Sequence, residues 1–173
     1  MTPKTSLVNS IQNLNQIIQP IIGETCHQIG FSYGDELILD FGEMTAYDHP
    51  KLADLRKGSW QLSTRATLWY LMTNHELLFL PLPQLNTDHA QVALQRYLEN
   101  KKLANFVIDP NKNFQLTLSF EEGYELILEP DLEDDSGLAY WELLMPNEQI
   151  LIVGPGEFWE CKSIHECSST AAH

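Results

Sequence analysis

FQLTLSFEEGYELILEPDLEDDSGLAYWELLMPNEQILIVGPGEFWE, residues Phe114–Glu160, decides how the rest of the chain is read. It divides into FQLTLSF, YELILEP, AYWELLM, QILIVG and EFWE, short apolar runs each closed by a turn, which is the pattern of antiparallel strands. The same stretch carries Glu121, Glu122, Glu125, Glu129, Asp131, Glu133, Asp134, Asp135, Glu142, Glu148, Glu157 and Glu160. That is half of the chain's 24 acidic residues, and none of its 10 Lys and Arg lies there.

Upstream, residues from about Thr5 to Gln19 predict a helix, with Leu7, Ile11, Leu14, Ile18 and Ile21 forming one apolar stripe and Pro20 and Gly23 stopping it. In FSYGDELILDFG, Leu37, Leu39 and Phe41 alternate with Ile38 and Asp40, a strand with one buried face. EMTAYDHPKLADLRKG reads as a loop or short helix, and GSWQLSTRATLWYLMT and HELLFLPLP as further strands. Pro81 and Pro83 lack ladder donors, so the sheet ends near them. A second helix is expected from Thr87 to Lys102. Asp88 and Gln91 form its capping box, Ala90, Ala93, Leu94, Tyr97 and Leu98 its buried face, and Lys101 and Lys102 its last turn.

One repeat stands out. FSYGDELILD (Phe31–Asp40) and FEEGYELILE (Phe120–Glu129) share F-x-x-G-x-E-L-I-L-acid. After each comes a polar loop, a glycine (Gly58, Gly137) and a Trp-bearing strand (Trp60 with Trp69; Trp141). Two related β units around one core are expected. The fold class is therefore α+β: a mainly antiparallel sheet or open barrel of roughly eight to ten strands, with an N-terminal and a central helix packed on it. The expected division of this single domain is a helix over 1–22, a first β unit over 26–83, a central helix over 87–102, a second, acidic β unit over 104–160 and a flexible tail over 161–173.

FEEGYELILEPD followed by YWELLMPNEQILIVGPG resembles small uncharacterised bacterial β-rich domains with a glycine turn, an acidic loop and a W-x-L strand. The resemblance implies an immunity-type or accessory protein and brings no family-defined functional residues.

Composition narrows the function classes. A formal net charge of -14 opposes nucleic acid and anionic membrane surfaces and favours a basic protein partner. No apolar run reaches the length needed to span a bilayer, and MTPKTSLVNSIQN lacks the apolar stretch of a signal peptide. Cys26, Cys161 and Cys167, an odd and sparse set, fit a reducing compartment, so a cytoplasmic protein is expected.

Catalytic patterns are missing from the sequence: there is no G-x-S-x-G, no H-E-x-x-H and no phosphate loop. Cys161, His165 and Cys167 do not have a usual zinc spacing, and EPDLEDDSG lacks the EF-hand pattern, so neither a metal nor a cofactor is expected. The expected function is a non-catalytic acidic protein-binding module, in its concrete form an immunity-type inhibitor of a basic partner. Its expected partner-binding residues are Glu121, Glu122, Asp131, Glu133, Asp134, Asp135 and Trp141. Two alternatives stand beside it. One is a small-molecule or metal-dependent enzyme using a pocket between the units, with Cys26, His27, Cys161 and His165 as ligands. The other is a scaffold that dimerises through the helix from Leu7 to Ile21.

Overall fold

The computed structural model describes residues 5–32, 36–52, 54–65, 67–74, 76–79 and 87–165. Gly34, Pro81, Pro83, Cys167 and the terminal SSTAAH lie outside them. In chain order the elements are β1 (Thr5–Ser6), α1 (Leu7–Ile18), β2 (Thr25–Ser32), β3 (Glu36–Ala46), β4 (Arg56–Thr64), β5 (Thr67–Thr73) and β6 (Glu76–Phe79). After these come α2 (Thr87–Leu98), β7 (Lys101–Asp109), β8 (Gln115–Phe120), β9 (Tyr124–Pro130), β10 (Trp141–Leu144), β11 (Gln149–Val153) and β12 (Phe158–Ser163). The protein is α+β, with two helices on one open antiparallel sheet.

The strand order is β1-β12-β11-β10-β4-β3-β2-β7-β8-β9-β5-β6. The first and second halves of the chain interleave in it. β5 leaves the first half to pair with β9, and β10 leaves the second half to pair with β4. The junction is narrow: β2 and β7 pair only at Thr25↔Lys102 and Cys26↔Lys101. Beyond it the two half-sheets diverge and enclose the core between them. Phe41 of β3 stacks on Phe120 of β8 at 6.2 Å, Phe106 of β7 meets Trp141 of β10 edge-on at 5.6 Å, and Phe31 of β2 lies 6.1 Å from Trp69 of β5.

Among the described residues no strand pairs with the far edge of β2 past Cys26, and α2 covers it. Gln91 and Gln95 donate their side-chain amides to the Ile29 carbonyl at 3.4 and 3.5 Å, and Glu99 Oε1 accepts the Ile29 N–H at 3.1 Å. Side chains of the helix, and Glu99 just past its end, thus supply what a neighbouring strand would have supplied. Gln91 faces the sheet backbone, where the capping-box reading had turned it toward the helix start.

Other expectations are corrected by packing. Asn100, with φ 66°, closes α2, so Lys101 and Lys102 open β7. Asp40, read as the outward residue of β3, is 2 % exposed. Gly58, expected between a polar loop and the Trp-bearing strand, sits inside that strand, β4, opposite Met44. A Cβ there would stand 2.5 Å from the Phe41 carbonyl oxygen, so the glycine permits a close approach of two strands at the β3 bulge. Within the expected tail, Cys161–Ser163 continue β12. The two copies of the E-L-I-L repeat occupy different places: Leu37–Asp40 lie in β3, second from the junction, while Leu126–Glu129 lie in β9, third from it. The glycine turn of the second copy holds, with Glu122 at φ 68° and Gly123 at φ 82°.

Candidate functional site

Residues 131–140 connect β9 in one half-sheet to β10 in the other, and they carry the densest run of carboxylates. The corresponding passage in the first half, from β4 to β5, spans only Arg65 and Ala66. The two crossings touch, since Tyr140 O accepts the Arg65 N–H at 2.9 Å and the Thr67 hydroxyl at 2.6 Å.

Local chemistry shapes the loop. Asp131 accepts the Glu133 N–H at 3.1 Å, and Asp134 accepts the Ser136 N–H at 2.9 Å together with the Ser136 hydroxyl. These are short polar side chains satisfying backbone donors two residues on, the reason Asp and Ser favour turns. The Ser136 hydroxyl and N–H hold the Asp134 carboxyl below the usual carboxylate range. Asp131 and Asp134 therefore build the loop, while Glu133 and Asp135 are exposed on it.

Beneath the start of the loop lies a cleft of about 540 Å³ against the outward side of the sheet. Leu68, Gln115 and Glu129 line its sheet side, Asp131, Leu132 and Glu133 its loop side, with Lys112 the one basic residue in the lining. Leu68 and Leu132 are 58 % and 61 % exposed, an apolar pair ringed by acid. Glu129 accepts the Tyr70 hydroxyl at 2.9 Å, and Tyr70 is shifted upward by burial and then by that carboxylate. At its other end the loop borders a hollow of about 190 Å³ with exposed Leu138 and Phe158 beside Glu142 and Glu160.

The residues expected at a partner surface divide into three groups. Asp131, Glu133, Asp134 and Asp135 are together in the loop. Glu121 and Glu122 lie at the opposite end of β9, about 20 Å away along the strand. There Glu121 accepts the Lys102 N–H at 3.2 Å and Glu122 pairs with Lys101 at 2.9 Å, which raises the Lys101 pKa. Trp141 is 1 % exposed and packs on Phe106, so as folded it presents no surface to a partner. Side chains alternate along β10, and Glu142 takes the outward position. Leu68, Lys112 and Leu132 were not found by sequence reasoning. No signal within Thr67–Thr73 marks Leu68 as a neighbour of a loop more than sixty residues away.

The metal alternative loses its geometry. Cys26 is wholly buried on β2 and Cys161 lies on β12, with β3, β4, β10 and β11 between them. Among the described residues no three His, Cys, Asp or Glu side chains gather around one point. His165 is 3.5 Å from Glu148, and no described helix is long and apolar enough to cross a membrane. The chain matches no known protein family, no curated protein and no solved structure.

Proposed function

We propose that this chain is a non-catalytic acidic protein-binding module that takes a basic partner on the loop of residues 131–138 and the cleft beneath it. An immunity-type inhibitor, whose carboxylates cover the cationic site of a toxin, is its concrete form. One observation carries the reading. Where the first half crosses between half-sheets in two residues, the second uses ten, and the added length holds Asp131, Glu133, Asp134 and Asp135 around exposed Leu132. A rigid sheet presenting one elongated loop is the usual arrangement of a binding site on a scaffold. Apolar Leu68 and Leu132 would supply contact area and the surrounding carboxylates steering. The acidity of Phe114–Glu160 supports this only in part, because the strands spread it: Glu125 and Glu129 are on β9, Glu142 and Glu160 on β10 and β12 in the other half-sheet.

We infer as well that the sheet is built from two related β units. What supports this is register. Reading outward from the junction, β2, β3, β4, β10 and β11 correspond to β7, β8, β9, β5 and β6. Cys26↔Phe41 with the shift to Gln28↔Asp40 has its counterpart in Leu103↔Phe120 with the shift to Asn105↔Ser119. Trp69 and Trp141 fall at matching places, opposite Leu128 and Thr64. The Gly23 N–H to Leu103 O bond and the Asn100 N–H to Cys26 O bond, both 2.7 Å, also match.

The test is capture from lysate at low and moderate salt, with the wild type beside Glu133→Lys with Asp135→Lys, and beside Leu132→Ser. A single basic partner lost with both variants and weakened by salt is the expected result. Loss with the charge reversals alone would reduce the contact to unspecific attraction. No partner for the wild type at either salt would overturn the proposal.

A further inference from the structure

The outward face of β8, β9 and β5 carries an uncovered apolar spot beside the acidic loop. Leu116 and Leu128 pair across β8 and β9 and are wholly buried, so their neighbours Gln115 and Glu129 stand opposite each other on the other face. Trp69 is buried on β5, and Leu68, which pairs with Glu129, is turned outward beside them. Gln115, Glu129 and Leu68 are therefore one cross-strand row, with steps of about 4.8 Å between strands. Asp131, Leu132 and Glu133 of the loop and Lys112 and Asn113 of the β7–β8 turn stand around it.

Two of the carboxylates here are fixed by bonds inside the molecule. Glu129 Oε1 accepts the Tyr70 hydroxyl at 2.9 Å, and Asp131 Oδ1 accepts the Glu133 N–H at 3.1 Å. Each is anchored through one oxygen and keeps the second for a donor from outside. Glu133 adds an exposed carboxylate, and Lys112 is the single cation of the lining, so the cleft is acidic on balance. With Leu68 and Leu132 58 % and 61 % exposed, it does not enclose a small molecule, whose sites bury most of the ligand's surface. A protein surface laid over it would.

We infer that this cleft takes the side chain of one arginine presented by the basic protein partner. The methylenes of that arginine lie along Leu68 and Leu132, and its guanidinium donates to Glu129 and Asp131, with the Gln115 amide a neutral acceptor beside them. Arginine fits better than lysine for two reasons. Its flat fork reaches two carboxylates at once, and its weakly hydrated cation loses less on leaving water beside leucine. Lys112 repels a cation and so sets the arginine head on Glu129 and Asp131, away from the β7–β8 turn. The inference rests on the acidic-module reading and names the group that anchors the partner.

The experiment titrates the full chain at low salt with the blocked peptide N-acetyl-Gly-Arg-Gly-amide, followed by methyl and amide NMR. Peptides with lysine or norleucine in place of arginine are the comparison. Saturable shifts at the Leu68 and Leu132 methyls are expected at concentrations on the order of millimolar, with the lysine peptide about 3- to 10-fold weaker and the norleucine peptide silent. Glu129→Gln keeps the shape and the acceptor for Tyr70, and it should weaken the arginine peptide about 3- to 10-fold. Leu68→Ser, which strips the apolar floor, should weaken it by a similar factor. Glu157→Gln removes the same charge from the exposed β11–β12 turn and should leave binding unchanged. The inference is overturned if the arginine peptide does not saturate, if the lysine peptide binds as tightly, or if Glu157→Gln weakens binding as much as Glu129→Gln. A basic partner still captured through the loop in that case shows that the arginine anchor has failed and the acidic module has not.

Discussion

Asp40 and Gly58 are coupled at the β3 bulge. Asp40 Oδ1 accepts the Gly58 N–H and the Gln61 amide, both at 2.9 Å. Burial raises the Asp40 pKa above its ordinary value, and these two bonds and nearby Lys57 only partly offset it. A carboxylate with a raised folded-state pKa contributes stability that is full below the unfolded value and is lost as pH rises through the folded one. Between pH 4 and 7 the wild type should therefore lose stability relative to Asp40→Asn, whose urea midpoint should vary less over that range. A steeper profile in the variant would contradict this account. For Gly58→Ala, the added methyl meets the Phe41 backbone, and a loss of about 1–3 kcal/mol is expected from urea unfolding. Gly30→Ala, with nothing within 4 Å of the new Cβ, is the control and should change stability by no more than about 0.5 kcal/mol.

At the scale of elements, α2 substitutes for a strand along β2. Glu99→Ala leaves the Ile29 N–H without its acceptor at a half-buried edge, which costs about 1–3 kcal/mol. Hydrogen exchange provides the specific readout: Ile29 should lose protection while Leu39, paired within the sheet, keeps it. Equal loss at both would mean that the whole fold had weakened and that the helix was not acting as a local cover. Helix positions were legible from spacing, because Leu14, Ile18 and Ile21 and then Ala90, Leu94 and Leu98 recur at three or four residues and are all buried. The polar face of α2 was not legible. Gln91, Gln95 and Glu99 look like any solvated helix surface until the backbone they satisfy is placed beside them.

For the whole molecule, the exchange of β5 and β10 makes each half-sheet depend on both halves of the chain. Unfolding should be a single transition, with fluorescence and circular dichroism coinciding. Phe41 and Phe120 stack between the two halves, so Phe41→Ala should cost about 3–5 kcal/mol and lower both signals' midpoints together. Two separated transitions would show that the halves fold independently despite their interleaving. The same interleaving explains why the acidic stretch does not become an acidic face. Its strands are assigned to opposite sides of the junction, and only the crossing loop keeps its carboxylates together.

The sequence by itself determined most of the local pattern: which apolar runs are strands, where two helices lie and that a glycine turns the hairpin at Gly123. Those properties follow from periods of 2 and 3.6 residues and from the sterics of single residues, all contained within short windows. Tertiary structure alone decided the strand order, the burial of Asp40, the withdrawal of Trp141 into the core and the meeting of Leu68 with Leu132. Each of these depends on which distant strand supplies the neighbour. Antiparallel strands of similar apolar pattern can pair in many orders, and the choice is made by packing the whole core at once.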